Sequence, residues 1–342
     1  MLKTQMKFLK KLVLVFSLLL GLFLLGEEAV YAEGDVGYDI QAVLPENQVD
    51  GADSFFNLRM TPSQTQTIEF IINNTSNQPS VYQMSINQAY TNSQGFIDYD
   101  KDEGSNDASL KYPINEIAQI ESEVTVAANS SVRVPVELTM PAESFDGQIL
   151  AAIEVIKDTK KNSGGISNSY GYVLGLKLTE TDNEVSRDLK LLSVKPAISF
   201  QKTSVVANLQ NPTMDAYGHL KYDGKVYNRE TDELVKKANF DNDMQMAPNS
   251  TYSFVIDWKN QPLEAGDYRL ALKVSDAKGN VWNFKKNFTI TAEEAAEVNT
   301  VITNQNNQKL PIWLYGLLGV ILALLLVIIV FLLLKRRKSE EE

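Results

Sequence analysis

Alternation constrains this chain more than any other feature. In "SVRVPVELTM" (131–140), Val132, Val134, Val136, Leu138 and Met140 alternate with Arg133, Pro135, Glu137 and Thr139. On a pleated strand this places every apolar side chain on one face. Pro135 has no amide hydrogen to donate, so the strand belongs at an edge or carries that position outside the ladder. Similar runs, "TIEFIIN" (67–73), "VYQMSIN" (81–87), "GYVLGLKL" (171–178), "YSFVIDW" (252–258) and "YRLALKV" (268–274), recur between Asn, Gly, Pro and Ser punctuation. The pattern predicts an all-β fold of two tandem immunoglobulin-like β-sandwich domains.

The two ends read differently. Lys3, Lys7, Lys10 and Lys11 precede the apolar run "LVLVFSLLLGLFLL" (12–25), and Val30 and Ala32 stand at the −3 and −1 positions of a small-residue cleavage site; residues 1–32 are expected to be a secretory signal peptide. Near the other end, "IWLYGLLGVILALLLVIIVFLLL" (312–334) has no charge and is followed by "KRRK" (335–338). That pattern predicts one C-terminal transmembrane helix with a cytoplasmic tail, 335–342. The expected location is therefore the cell membrane, single-pass, with the body of the chain extracellular. "LPIWL" (310–314) lacks the Thr-Gly of a sortase signal.

No cysteine occurs, which removes thiol chemistry, disulfides and lipoprotein anchoring. The formal net charge is −11, and about −14 once residues 1–32 (four lysines, two glutamates) and 335–342 (four basic, three acidic) are set aside. Such a surface repels phosphate backbones, so no nucleic-acid partner is expected.

An internal repeat divides the middle of the chain. "VAANSSVRVPVEL" (126–138) matches "MAPNSTYSFVIDW" (246–258), and "FIINNTSNQP" (70–79) resembles "VVANLQNPTM" (205–214). Asn73 and Asn129 lie 56 residues apart, Asn211 and Asn249 only 38. The first unit thus carries an insertion of about 18 residues. The expected domains are 34–157 and 170–305, separated by the polar linker 158–169, with Tyr170–Leu178 either opening the second unit or finishing the first.

Within the insertion lies "IDYDKDEGSNDASL" (97–110), with Asp98, Asp100, Asp102, Glu103 and Asp107. It begins like an EF-hand loop, but position 6 is Glu103 rather than Gly and position 12 is Ser109 rather than Glu. A solvated loop is the better reading, and no metal site is assigned. No catalytic residue is assigned either. His219 is the sole histidine, no serine stands in a G-x-S-x-G elbow, and nothing places two carboxylates across a groove. Trp258 and Trp282 are read as core residues rather than sugar-stacking rings. The Asn-x-Ser/Thr sequences at Asn73, Asn74, Asn129, Asn249 and Asn287 are read as turn asparagines. No enzyme activity and no cofactor are expected, and binding residues are left unassigned.

"PAESFDGQILAAIEV" (141–155), with "GFIDY" and "DASL" upstream, resembles the first domain of the WxL-interacting proteins of Gram-positive bacteria. "LQNP" (209–212), "MAPNS" (246–250), "AGDYRL" (265–270), "VWNFKKNFTI" (281–290) and "EAAEVN" (294–299) resemble their second. One departure is "AAI" (151–153), where the family leads one to expect smaller, glycine-like residues. The resemblance implies a membrane-anchored surface protein that engages peptidoglycan through its first domain, associates with WxL-domain surface proteins and extends to host matrix protein through its second. The alternative is a chaperone-like or assembly scaffold that docks surface proteins through an exposed strand edge.

Overall fold

A computed structural model describes residues 36–49, 51–100, 107–158, 170–307 and 312–338. The signal peptide expected at 1–32 lies outside the described residues.

In the first sandwich the strands are β1 (Tyr38–Val43), β2 (Phe56–Arg59), β3 (Thr65–Asn74), β4 (Ser80–Gln88), β5 (Tyr90–Thr91), β6 (Ile97–Asp98), β7 (Ala118–Gln119), β8 (Glu123–Val126), β9 (Ser130–Thr139), β10 (Ile149–Lys157) and β11 (Gly171–Thr179). One sheet runs β1-β3-β9-β7 and the other β2-β11-β10-β4-β8, while β5 and β6 pair only with each other. The alternating residues of β9 behave as their spacing demands: Val134, Val136, Leu138 and Met140 are buried and Arg133, Pro135, Glu137 and Thr139 exposed. Pro135 lies opposite Glu69 of β3. On its other side β7 reaches only Leu138 and Glu137, so the missing amide falls where no strand asks for it. Ala151, Ala152 and Ile153, the departure from the expected small residues, are packed in the core. Tyr38 joins the two layers by donating its hydroxyl to the carbonyls of Val155 (2.8 Å) and Tyr170 (2.9 Å), and burial pushes its pKa up to about 12.

The second sandwich contains β12 (Lys190–Ser199), β13 (Lys202–Asn211), β14 (Tyr217–Asn228), β15 (Leu234–Met246), β16 (Ser250–Asp257), β17 (Gly266–Ser275) and β18 (Val281–Ile290). Its sheets run β12-β13-β16 and β15-β14-β17-β18. Helix α1 (Ala292–Asn307) packs on β12 and β13. It opens on a capping box, with Thr291 Oγ1 accepting from Glu294 N (3.1 Å) and Glu294 Oε2 accepting from Thr291 N (2.9 Å).

Two expectations change. Gly171–Thr179 does not open the second sandwich. It pairs antiparallel with β10 from Ile149↔Leu178 to Ile156↔Gly171, and parallel with β2. The segment 158–169 therefore joins two neighbouring strands of one sheet, and the passage between sandwiches is 180–189. A polar, Gly/Ser-rich composition suits both kinds of connection, so composition alone could not separate them.

The second correction concerns the C-terminal end of the fold class. The chain is mostly β but also holds α1 and a second helix, α2 (Ile312–Lys338). Among the described residues no helix is long and apolar enough to cross a membrane. The expected transmembrane helix 312–334 and its cytoplasmic tail are thus not supported.

Candidate functional site

Of the residues singled out in the sequence, Asp107 and Asn249 meet at the junction between the sandwiches. The insertion of the first unit makes the β5–β6 hairpin, which lies against β15 and β16. Thr91 Oγ1 accepts from Ala247 N (3.0 Å) and shares a hydrogen bond with Ser250 Oγ (2.6 Å). Gln245 N donates to the Gly95 carbonyl (2.7 Å). Phe96 packs against the second core and Met214, in return, against the first.

The acidic stretch takes part. Asp98 accepts from Asn92 Nδ2 (2.9 Å) and Tyr99 N (2.8 Å), and Asp100 accepts from the Tyr90 hydroxyl. Residues 101–106, with Asp102 and Glu103, lie outside the described residues. Asp107 is half-buried, not solvated: it accepts from Thr251 Oγ1 (2.5 Å) and Gln210 Nε2 (2.6 Å) of the second sandwich and from Ser109 of its own. Burial alone would raise its pKa, but these hydrogen bonds outweigh it and hold the carboxyl below the ordinary aspartate value. The expected solvated loop is here a clasp, because its end folds back under a neighbouring sandwich that local sequence does not reveal. Asn249 adds a bond from Nδ2 to the Ser109 carbonyl (2.8 Å). Among the described residues no cluster of three or more His, Asp or Glu is placed to hold a metal ion.

The connecting segment 180–189 is strapped at both ends. On the first sandwich, Asp146 accepts from Thr181 Oγ1 (2.6 Å) and Asn183 Nδ2 (3.0 Å), and Asp182 pairs with Arg59. On the second, Arg187 donates to Asp215 (2.9 Å), Asp276 (2.6 Å) and the Ala216 carbonyl (3.1 Å), and its guanidinium lies 4.7 Å from the centre of the Tyr217 ring. Beside the hairpin, Phe96, Phe200, Phe240, Met244, Tyr252 and Val255 line an apolar groove of about 200 Å³.

His219 stands apart, exposed at a bulge of β14 and paired with Asp243. Trp258 is buried, while Trp282 is half-buried and stacks on Tyr217 with ring centres 6.0 Å apart. Asn74 and Asn249 are buried and spend their amides on backbone carbonyls. The sequence offered no sign of Arg187 or Thr251, whose partners are distant in the chain.

Comparison with known families decides what this two-part body is. A family model described as the WxL-interacting protein peptidoglycan-binding domain matches residues 38–157, and one described as the host-binding domain of the same protein matches 161–300. The chain belongs to the WxL-interacting protein family. Both matched domains are binding domains by description, in the order expected. The match to the WxL-interacting host-binding domain begins at 161, upstream of β11, whose strand nevertheless belongs to the first sandwich. Among solved structures, this WxL-interacting chain is similar to the Pseudomonas aeruginosa CupB2 chaperone (14% identity, 67% of this chain and 96% of that one, TM-score 0.25), the E. coli chaperone DraB (13%, 74% and 98%, 0.28) and the YadV chaperone (11%, 74% and 100%, 0.28). At these TM-scores the likeness carries no weight for function. No curated protein matches.

Proposed function

We propose that this protein is a non-enzymatic connector of the cell surface, acting outside the cytoplasmic membrane. Its first sandwich holds peptidoglycan. Its second holds a protein ligand, a WxL-domain surface protein beside it on the cell, and takes host matrix protein as the host ligand, its family description giving host binding alone. The observation that carries this reading is the ordered pair of family matches, 38–157 and 161–300, on one chain. The junction supports it: a clasp at Asp107 and a strapped segment 180–189 let a load on one sandwich be borne by the other.

A sacculus pull-down tests the division of labour. The fragment must run from 36 to 186 so that β11 is kept, since ending at 157 removes a strand paired on both edges. The fragment and the full chain should both sediment with purified peptidoglycan, and the full chain alone should retain a WxL-domain protein. Loss of sedimentation for a folded 36–186 fragment, with binding kept by the full chain, would refute the assignment.

A further inference from the structure

The outer face of the sheet β15-β14-β17-β18 carries a charge pattern opposite to that of the chain. On β14, Tyr222, Gly224 and Val226 are buried, so Lys221, Asp223, Lys225 and Tyr227 face the other way. Register fixes their neighbours. Lys225 is opposite Lys237 on one side and Ala271 on the other, and Ala271 is opposite Lys285. Lys237, Lys225, Ala271 and Lys285 therefore form one row across four strands. In the next row stand Asn239, Asp223, Lys273 and Asn283. With Lys221 and Arg269, six cationic groups share this face with the strand carboxylates Asp223, Asp241, Asp243 and Asp267 and with Asp232, which reaches Arg269, a net of +1 in a chain whose formal charge is −11.

Three of the cations are engaged: Lys221 with Asp241 (3.0 Å), Lys225 with Asp223 (3.1 Å) and Arg269 with Asp232 (2.6 Å). Lys237, Lys273 and Lys285 are exposed and have no ion pair among the described residues. The row is unfavourable for the sheet itself, because like charges directly opposite on neighbouring strands destabilise a pair. Nor does this face cover any core: the buried side chains of β14, β17 and β18 point inward, and the apolar residues left on the face, Tyr227, Ala271 and Val281, are half-buried or exposed. A counter-anion turns the arrangement favourable. Ala271 leaves a trough between Lys225 and Lys285, whose strands stand about 10 Å apart, twice the strand spacing. The free heads are lysines, point charges suited to phosphate, whereas the one arginine fork on the face is taken by Asp232.

We propose that this face binds a linear phosphodiester polymer, crossing the Ala271 trough with its phosphates between Lys225 and Lys237 on one side and Lys285 on the other, and with Lys273 of the same strand as Ala271 at the end of the trough. The site is independent of the peptidoglycan assignment, because it uses the second sandwich and a ligand without peptidoglycan.

The test is binding of the full chain to immobilised synthetic poly(glycerol phosphate) as salt is raised. Saturable binding is expected, weakening linearly in log–log form. The combined variant Lys225→Gln, Lys237→Gln, Lys285→Gln should lose at least tenfold in affinity and about 2 from the salt slope, while melting no lower than the parent. Lys190→Gln with Lys195→Gln, exposed on β12 of the opposite sheet, should change nothing. The proposal fails if the parent does not bind, if the triple variant binds as the parent does, if the β12 variant loses as much, or if heparin is held more tightly than the phosphodiester polymer.

Discussion

Asn74 of the first sandwich and Asn211 of the second occupy the same structural position. Asn74 Nδ2 donates to the carbonyls of Gln78, Val126 and Ala127, and its Oδ1 accepts from Ser76 N and Oγ. Asn211 Nδ2 donates to the carbonyls of Asp215 and Ala247, and its Oδ1 accepts from Thr213 N and Oγ1. Each asparagine thus ties the end of one sheet to the turn that opens the facing strand of the repeat, where Asn129 and Asn249 both adopt positive φ. The repeat is centred on Asn74, one residue after the Asn73 that sequence spacing selects.

Replacing either residue by alanine strands several buried carbonyls. Asn74→Ala and Asn211→Ala should each cost about 3 kcal/mol, read by urea unfolding. At neutral pH each loss should lower the shared transition of the coupled sandwiches. A cost below about 1 kcal/mol at either position would mean that water replaces the amide without penalty.

Asp107 makes the junction sensitive to acid. Its folded pKa lies below the ordinary aspartate value, so its contribution is present above the unfolded pKa and is lost as pH falls through the folded one. As pH falls below the ordinary aspartate value of about 4, the two sandwiches should pass from one coupled melting transition to two. In Asp107→Asn that change should be largely absent, with weaker coupling already at neutral pH. Calorimetry at stepped pH reads both.

Gly147 holds the sandwiches in close approach. Its φ is +99°, and a Cβ there would stand 2.4 Å from the Met214 carbonyl oxygen, which accepts from Gln148 N at 2.7 Å. Gly147→Ala should lose more than about 1 kcal/mol and open the 180–189 segment to protease. Gly279→Ala, at φ +91° with nothing within 4 Å, isolates the backbone cost and should leave that segment protected.

Arg187 neutralises Asp276, whose side chain is 0% exposed. Arg187→Met should cost about 3–5 kcal/mol by leaving that carboxylate buried without its partner. Adding Asp276→Asn should recover part of the loss. Thermal melts of the single and double variants check this, and equal destabilisation by both would show that the guanidinium acts through packing on Tyr217 alone.

Much of the body was legible in the chain because it depends on local pattern. Alternation in β9 fixed which residues are buried, and the Asn-Ser turns at 129–130 and 249–250 marked the two repeats. The blocks from "PAESFDGQILAAIEV" to "EAAEVN" carried the family. What the sequence could not show was pairing between distant segments. Gly171–Thr179 has the same composition whether it begins one sandwich or completes the other, and only hydrogen bonds to β10 and β2 decide between them. Asp107 reads as one more acid in a polar loop until Thr251, 144 positions away, donates to it. The lysine row is likewise invisible in order, since Lys225, Lys237 and Lys285 meet only through strand register. Sequence determined the periodicities and the turns, because those act over a few residues. Tertiary structure alone decided the junction and the charged face, because side-chain proximity across strands is set by register and docking.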